Sequence, residues 1–340
     1  MASEPNSKAK AWAIYDRIVD VAAPGGVHTN PWVIDQSRSR RFEPDYDTLQ
    51  RLLGVPLWLR AGTQSGVPAL ALDVWLSYEL RRAGFGSDQV WPRPRHPRIL
   101  PAAVANLLAS LPKGYAAPLR DRIERRSAIK GVTAASAPIL GKNYRKQVDV
   151  IITDWATGPE LLISTKRMDS SYGKNAPNRI EESYGDAKNL RLRHPLAALG
   201  FLFGLRSNIL EKEMPTAEWL FDLLIKLGRE DDAYHATCLV LMEYSKTIAL
   251  VEDGEASDEA IASEPDSELA DEEVAPVAVA NAEVDRTIAE LPDVRIRLDA
   301  TPEELMPSRF LAAMVDRILL TTPVTMHKVA RKRRAEATHR

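Results

Sequence analysis

Residues 147–168, QVDVIITDWATGPELLISTKRM, contain two apolar runs separated by a short turn-forming segment. The β-branched and apolar residues on both sides of DWATGP predict two antiparallel strands, at 147–153 and 160–167. The first run carries Asp149 and the second carries Lys166. Buried strands rarely contain charged side chains unless the charge is paired or has a function. This hairpin therefore constrains both the fold of the chain and its function.

The expected register brings polar side chains of the hairpin together. Side chains two residues apart share one face of a strand. If Thr153 pairs with Glu160, Asp149 stands opposite Ser164, and Lys166 lies one diagonal step away, within reach of a long side chain. Such a patch would suit a hydrated divalent cation beside a positive charge. The structural alternative is that Asp149 accepts a hydrogen bond from a backbone amide and that Lys166 protects a sheet edge from aggregation.

This arrangement resembles the PD-(D/E)xK nuclease superfamily. In that family an Asp ends one strand of a hairpin, and an acidic-x-Lys triplet lies on the next strand. Asp149 matches the first position, and Ser164-Thr165-Lys166 matches the triplet. The predicted order of helix, two strands, helix and apolar segment also matches the family's core, over roughly residues 105–250. The resemblance implies an α/β fold with a restriction-endonuclease-like core, which is a mixed central sheet flanked by helices.

The resemblance implies Mg²⁺-dependent hydrolysis of DNA phosphodiester bonds, with Mn²⁺ as a substitute and with 5′-phosphate and 3′-hydroxyl products. Asp149 would hold the metal, and Lys166 would orient or help to deprotonate the attacking water. A type II restriction endonuclease acting on double-stranded DNA in defence is the first interpretation, and cutting both strands would call for a homodimer. The alternatives are a non-catalytic DNA-binding or assembly protein on a nuclease scaffold, and a repair or recombination nuclease.

The departure from the family pattern is Ser164, which stands where the family usually has Asp or Glu. A lone carboxylate holds a hard cation poorly. Some restriction endonucleases of the superfamily take the acid from the following helix, where RIEESYGD offers Glu181 and Glu182. Only one of these neighbours can face the site, and we favour Glu181. Glu160 is a rival, and Glu124 on the preceding helix is a further candidate, although a Glu among arginines is usually a solvated ion-pair partner.

The charge of the chain is unevenly distributed. Residues 111–210 carry 17 Lys and Arg against 9 Asp and Glu, which suits a polyanionic partner or a solvated basic face. An acidic, Ala-rich stretch at 252–290 contains too few large apolar residues to order itself fully. We therefore predict four segments: a mostly helical N-terminal domain (1–100), a nuclease-like core (101–251), an acidic disordered linker or insertion (252–290), and a C-terminal strand and helix with a basic tail (291–340).

Basic residues around the hairpin and the following helix are candidate DNA phosphate contacts, which position DNA without reading its sequence. The segment WPRPRHPR is a weaker candidate for an arm that reaches a DNA groove. The predicted phosphate contacts are Lys142, Arg145, Lys146, Arg167, Lys174, Lys188, Arg191 and Arg193.

Several other classes of protein find no support in the sequence. The single cysteine, Cys238, excludes an internal disulfide and any multi-cysteine metal site. The six histidines never form the HxH or HExxH spacing of a zinc hydrolase. The start MASEPNSKAK has no apolar segment, and the longest apolar run is too short to cross a bilayer. The sequence therefore predicts a cytoplasmic location with no membrane contact.

Overall fold

The structure is a computed structural model, and it describes residues 7–62, 65–125, 129, 132–133, 137–245 and 280–339. A six-stranded mixed sheet lies at its centre, with helices on both faces, so the expectation of a mixed α/β sheet flanked by helices is confirmed. The strands, in chain order, are β1 Trp32–Ile34, β2 Arg40–Phe42, β3 Val90–Trp91, β4 Ala137–Leu140, β5 Arg145–Val148, β6 Val150–Asp154, β7 Gly158–Met168, β8 Ala198–Arg206, β9 Ala236–Glu243, β10 Arg295–Ile296 and β11 Thr338–His339.

Helices connect these strands and cover the sheet. Helix α3 is buried along nearly its whole length, and α10 follows two short 3₁₀ turns. The α-helices, in chain order, are α1 Ser7–Ala22, α2 Tyr46–Trp58, α3 Val67–Arg82, α4 Ala102–Ser110, α5 Lys113–Arg125, α6 Tyr172–Arg191, α7 Ile209–Lys212, α8 Met214–Leu227, α9 Asn281–Ala289, α10 Pro307–Thr321 and α11 Lys328–Ala335.

The central sheet has the strand order β10-β9-β8-β7-β6-β3. Strands β7, β8 and β9 are parallel to one another, whereas β3, β6 and β10 run antiparallel to their neighbours. The run ALGFLFGLR forms β8, and every one of its residues is buried. A continuous apolar run is what a parallel strand covered on both faces requires. The chain thus places the hairpin of β6 and β7 next to the most deeply buried strand.

Alternate residues of the sheet face two separate cores. Ile152 and Ile163 point towards α1, α2, α3 and α10. Ile151 and Leu162 point towards α6 and α8. This alternation follows from the two-residue period of a strand. The helices of the first hundred residues therefore pack against one face of the sheet and share its core.

The hairpin of β6 and β7 forms, but the predicted first strand, 147–153, is interrupted at Asp149, because residues 147–148 belong to β5, which pairs with β4. The register of the hairpin also differs from the prediction near the turn. Val150 pairs with Ile163 in the regular part of the ladder. The predicted pairing of Thr153 with Glu160 is wrong, because a β-bulge places Thr153 opposite Pro159. An extra residue in one strand shifts the pairing on one side of a bulge and leaves the other side unchanged.

The Pro- and Arg-rich segment 91–98 folds against α1. Arg98 is buried and donates two hydrogen bonds to Asp16, at 2.8 and 2.7 Å. Arg93 forms an ion pair with Asp88, at 2.7 Å. These two guanidinium groups stabilise the fold, so the prediction of an arm that reaches a DNA groove is wrong for them.

The C-terminal residues fold as α11 and β11 instead of forming a basic tail. Arg331 donates to the carbonyl oxygens of Leu319 and Thr322 at the end of α10, at 2.8 and 2.9 Å. Arg333 donates to the last carbonyl oxygens of α3. Basic side chains satisfy unpaired carbonyl groups at helix C-termini. Strand β11 then pairs parallel with β1, which ties the C-terminal segment to the N-terminal part of the chain.

The predicted acidic linker divides into two parts. Its residues 252–279 lie outside the described residues. Residues 281–289 form α9, whose Val284 is buried in the core with α1. An ion pair between Arg17 and Asp285, at 2.6 Å, joins the two helices. The prediction of disorder is therefore wrong for this last part.

Within the described residues, no helix combines the length and the apolar character that crossing a membrane requires.

Candidate active site

Thr165, in the middle of the predicted triplet, contacts two carboxylates. Its backbone amide donates to Asp149 Oδ2 at 2.7 Å, and its hydroxyl donates to Asp73 Oδ1 at 2.5 Å. Asp149 lies directly before β6, and β7 continues beyond the Val150–Ile163 pair that ends the ladder. The Thr165 amide therefore needs another acceptor, and the Asp149 side chain supplies it.

The second carboxylate comes from the helix above the sheet. Asp73 lies on α3, and its side chain meets the face of β7 that carries Ile163 and Thr165. Only 8% of Asp73 is exposed. Sequence reasoning missed this residue. The signal was present in ALALDVWLSYEL, where Asp73 is a single acid in an apolar helical turn, and a buried acid without a local partner is often functional.

Burial and mutual repulsion govern the ionisation of this pair. Burial raises the pKa of Asp73 well above its ordinary value, and the charge of Asp149 raises it further, against the hydrogen bond from Thr165. Burial also raises the pKa of Asp149, although the Thr165 amide and the charges of Lys166 and Lys146 oppose this effect. Two carboxylates at such a place favour a shared proton or a bound cation.

Lys166 lies on the opposite face of β7 from the Thr165 side chain. Its ammonium donates to Glu182 Oε1 at 3.1 Å. Lys146 donates to the same oxygen at 3.0 Å and contacts Asp186 Oδ2 at 2.6 Å. Burial alone would raise the pKa of Glu182, but Lys166 and Lys146 outweigh it and hold this pKa at about 2. Glu182 is therefore a charged bridge between two lysines.

Ser164 is buried on the α6 face, and its side chain hydrogen-bonds to Tyr234. The ladder of β6 and β7 ends at the Val150–Ile163 pair, so the pairing of Asp149 with Ser164 stays a prediction. Lys166 is close enough for its charge to lower the pKa of Asp149.

The remaining predicted acids do not join this group. Glu181, which we favoured, is exposed, and it is Glu182 that contacts Lys166. Glu124 is exposed on α5. Glu160 is buried near the hairpin turn, where it lies 2.8 Å from His327. Among the described residues, no set of three or more His, Cys, Asp or Glu side chains is placed to hold a metal ion.

The predicted phosphate contacts separate into buried and exposed residues. Arg167 is buried and forms a two-point ion pair with Asp169, at 2.9 and 3.0 Å, so its prediction as a phosphate contact is wrong. Lys146 is held by Glu182, as described above. Two others pair with neighbouring side chains: Lys188 contacts Asp232 at 3.1 Å, and Arg191 contacts His235. The exposed members of the predicted set are Lys142, Arg145, Lys174 and Arg193.

Comparison of the chain with protein-family models, with curated proteins and with solved structures finds no match.

Proposed function

We propose that this chain is a metal-dependent nuclease that hydrolyses DNA phosphodiester bonds. The observation that carries the proposal is the pair of carboxylates, Asp73 and Asp149, that both contact Thr165, with Lys166 close enough to Asp149 for its charge to lower the pKa of that acid. Two adjacent acids and one lysine are the groups that phosphodiester hydrolysis with a hard cation needs. The charge of Lys166 acts on Asp149 directly.

The order of the elements supports the same proposal. The hairpin of β6 and β7 is followed by α6 and then by β8, which lies parallel to β7. This is the order of helix and strands expected from the resemblance to the PD-(D/E)xK superfamily. In that family a helix before the hairpin often contributes an acid. Here α3 supplies Asp73, in place of the Glu124 expected from the sequence.

The donor chemistry fits Mg²⁺. This ion is usually held by one or two carboxylates, with substrate phosphate oxygens and water as its remaining ligands. Asp73 and Asp149 would be its protein ligands, and a bound cation would offset the burial and the charge of Asp149 that raise the pKa of Asp73. When bound, Mg²⁺ supplies charge neutralisation on the scissile phosphate and lowers the pKa of water.

The residues of the chain have distinct tasks in this proposal. Thr165 holds both carboxylates in place through its amide and its hydroxyl. Lys166 offers a positive charge that offsets the extra negative charge of the transition state, and its ammonium can orient the attacking water by donating a hydrogen bond to it. Glu182 orients the Lys166 ammonium by accepting its hydrogen bond.

The biological setting extends the proposal. We propose a cytoplasmic type II restriction endonuclease that acts on double-stranded DNA as a homodimer, with Mn²⁺ able to replace Mg²⁺. A repair or recombination nuclease would share this chemistry and differ in its partners. The resemblance of Asp149 and Ser164-Thr165-Lys166 to the restriction enzymes supports the first choice.

The test is cleavage of plasmid and phage DNA with Mg²⁺ or Mn²⁺. We expect discrete fragments from the wild type and at least a hundredfold slower cleavage by Asp73→Asn, Asp149→Asn and Lys166→Met. Glu79→Gln is the matched control, because it alters another buried carboxylate of α3 that lies apart from the pair. Full cleavage by Asp73→Asn and Asp149→Asn would contradict the proposal.

A second candidate, a non-catalytic DNA-binding or assembly protein, has its own support. Asp149 satisfies a backbone amide, Lys166 is engaged by Glu182, and Ser164 replaces the expected acid. The contacts of Asp149 and Lys166 stabilise the fold without any need for catalysis. DNA binding without cleavage under any divalent cation, unchanged in Asp149→Asn, would favour this candidate.

A further inference from the structure

A two-stranded ribbon directly precedes Asp149 of the candidate active site. Strands β4 and β5 pair antiparallel, with Leu140 opposite Arg145, and they form a sheet of their own. Strand β5 ends one residue before Asp149. At about 3.3 Å per residue, the turn of the ribbon lies about 20 Å along the chain from that carboxylate. The ribbon therefore extends from the proposed reaction centre as a continuous element.

The inner face of the ribbon is fixed to the body of the protein. Ala137 and Val148 are buried in the core with α6. Two residues before Val148, Lys146 bonds to Glu182 and Asp186 of α6, at 3.0 and 2.6 Å. These contacts leave the other face of the ribbon directed outwards.

The turn of the ribbon is held by one buried amide side chain. Asn189 Oδ1 accepts from the backbone amide of Asn143 at 2.9 Å, and its Nδ2 donates to the Tyr144 carbonyl at 3.0 Å. The Lys142 amide donates to the Asn189 carbonyl at 2.8 Å. A Cβ at Gly141 would overlap the Asn189 amide, so only glycine fits there. These contacts fix the turn against α6.

The outward face carries side chains that can read DNA bases. Lys142, Asn143, Arg145 and Gln147 are all exposed. Arg and Lys recognise guanine O6 and N7 in the major groove, and Asn and Gln recognise adenine N6 and N7. Lys142 and Arg145 are exposed basic residues and residues 137–148 include no acidic residue, which matches the charge of DNA.

We infer that the β4–β5 ribbon enters the major groove of duplex DNA and reads its sequence, with Arg145 and Gln147 as the principal reading residues. A two-stranded ribbon is one of the two elements that the major groove admits. The inference rests on the proposed function in taking DNA as the substrate. It goes beyond that function by assigning sequence recognition to residues that take no part in the chemistry.

The test begins with selection of bound duplexes from a random DNA pool by the full chain in EDTA. We expect the wild type to enrich a defined motif and Arg145→Ala and Gln147→Ala to lose positions of it. Fluorescence anisotropy should show about a tenfold loss of affinity for the motif in Arg145→Ala, against less than about threefold for unselected DNA. Arg51→Ala is the control, because Arg51 is exposed on α2, on the other face of the sheet.

Replacing guanine by 7-deazaguanine removes the N7 acceptor from the major groove. We expect this replacement to weaken binding of the motif by the wild type about tenfold and to leave binding by Arg145→Ala unchanged. The inference is overturned if the wild type enriches no motif, or if Arg145→Ala and Gln147→Ala enrich the same one. It is also overturned if Arg145→Ala weakens all duplexes equally with a shallower salt dependence, which would make Arg145 a phosphate contact.

The same variants separate this inference from the proposed function. Loss of the motif in Arg145→Ala, with no metal-dependent cleavage by the wild type, would support the reading ribbon and contradict the nuclease. If cleavage requires Asp73 and Asp149, and Arg145→Ala cuts DNA at the same positions as the wild type, the nuclease is supported and the reading ribbon is contradicted. If the wild type is a dimer, and Leu140→Glu is a monomer that still enriches the same motif, the ribbon is an interface between copies. That outcome would overturn the inference.

Discussion

Asp73 and Asp149 accept hydrogen bonds from the same residue, Thr165, although one lies on a helix above the sheet and the other at the start of a strand. Thr165 offers its amide at the edge of β7 and its hydroxyl on the α3 face. Each donor orients one carboxylate. A single residue in the middle of the predicted triplet therefore fixes the distance between the two acids, and its identity matters more than the sequence pattern alone suggests.

The raised pKa of Asp73 predicts a loss of stability with rising pH. Burial and the charge of Asp149 place this pKa above its value in the unfolded chain. Between the two values the folded chain binds more protons, so the free energy of unfolding falls as pH rises through that window. Asp73→Asn cannot ionise and should show a smaller fall, by about 1.4 kcal/mol for each unit of pKa displacement.

Urea unfolding in EDTA from about pH 4 to about pH 8 measures this difference. Asp222→Asn serves as the control, because Asp222 is exposed on α8 and should leave the pH dependence unchanged. Identical pH dependences for the wild type and Asp73→Asn would mean that Asp73 ionises as easily in the folded chain as in the unfolded one.

Mg²⁺ should stabilise the folded chain through the same two carboxylates. A ligand that binds only the folded state at a hundred times its Kd adds about 2.7 kcal/mol to the free energy of unfolding. We expect thermal unfolding to show this gain for the wild type and for Asp222→Asn, and to show none for Asp73→Asn or Asp149→Asn. An equal gain in all four proteins would place the bound cation elsewhere.

The sequence predicted the part of the site that depends on local pattern. Two apolar runs and a turn were sufficient to predict that β6 pairs with β7, because strand alternation and hairpin pairing are short-range rules. Asp73 could not be placed, since its position depends on how α3 lies across β7, which no local pattern encodes. The prediction of Arg167 as a phosphate contact was wrong for the same reason, because the burial of its ion pair with Asp169 depends on the packing of the whole fold. Arg333 was assigned to a basic tail because its acceptors belong to α3, far away in the chain.

Glu182 and Glu181 provide a matched pair for the lysine bridge. Lys166 and Lys146 hold the pKa of Glu182 at about 2, below its ordinary value of 4.5, so its stabilisation is complete above about pH 4.5 and is lost as pH falls towards 2. This depression corresponds to roughly 2 kcal/mol after allowance for partial exposure. We expect Glu182→Gln to lower stability by about that amount at pH 7 and by little near pH 2.

Glu181→Gln alters the neighbouring exposed carboxylate and should leave urea unfolding unchanged at both pH values. Equal effects of the two substitutions would show that the bridge contributes no more than a surface charge.

Thr165→Val should separate the two contacts of Thr165. Valine keeps the shape and the backbone amide, which still donates to Asp149, but it removes the hydroxyl that donates to Asp73. A hydrogen bond to a charged or buried acid contributes about 1–3 kcal/mol, so we expect a decrease of that size in the free energy of unfolding. Thr165→Ser retains the hydroxyl and should cost less. A larger loss in Thr165→Ser than in Thr165→Val would show that packing of the methyl group, and not the hydrogen bond, is the main contribution.

The C-terminal helix should stabilise the whole fold through its arginines. Arg333 donates to the last carbonyl groups of α3, the helix that carries Asp73, whereas Lys332 is largely exposed. Unpaired carbonyl groups at a buried helix end are costly, so Arg333→Ala should lower the free energy of unfolding by about 1–3 kcal/mol, and Lys332→Ala should change it by less than about 0.5 kcal/mol. Chemical denaturation of both variants measures this. Because α3 positions Asp73, we also expect Arg333→Ala to weaken the stabilisation by Mg²⁺. If Mg²⁺ stabilises Arg333→Ala as much as the wild type, α3 keeps its position on the sheet without Arg333.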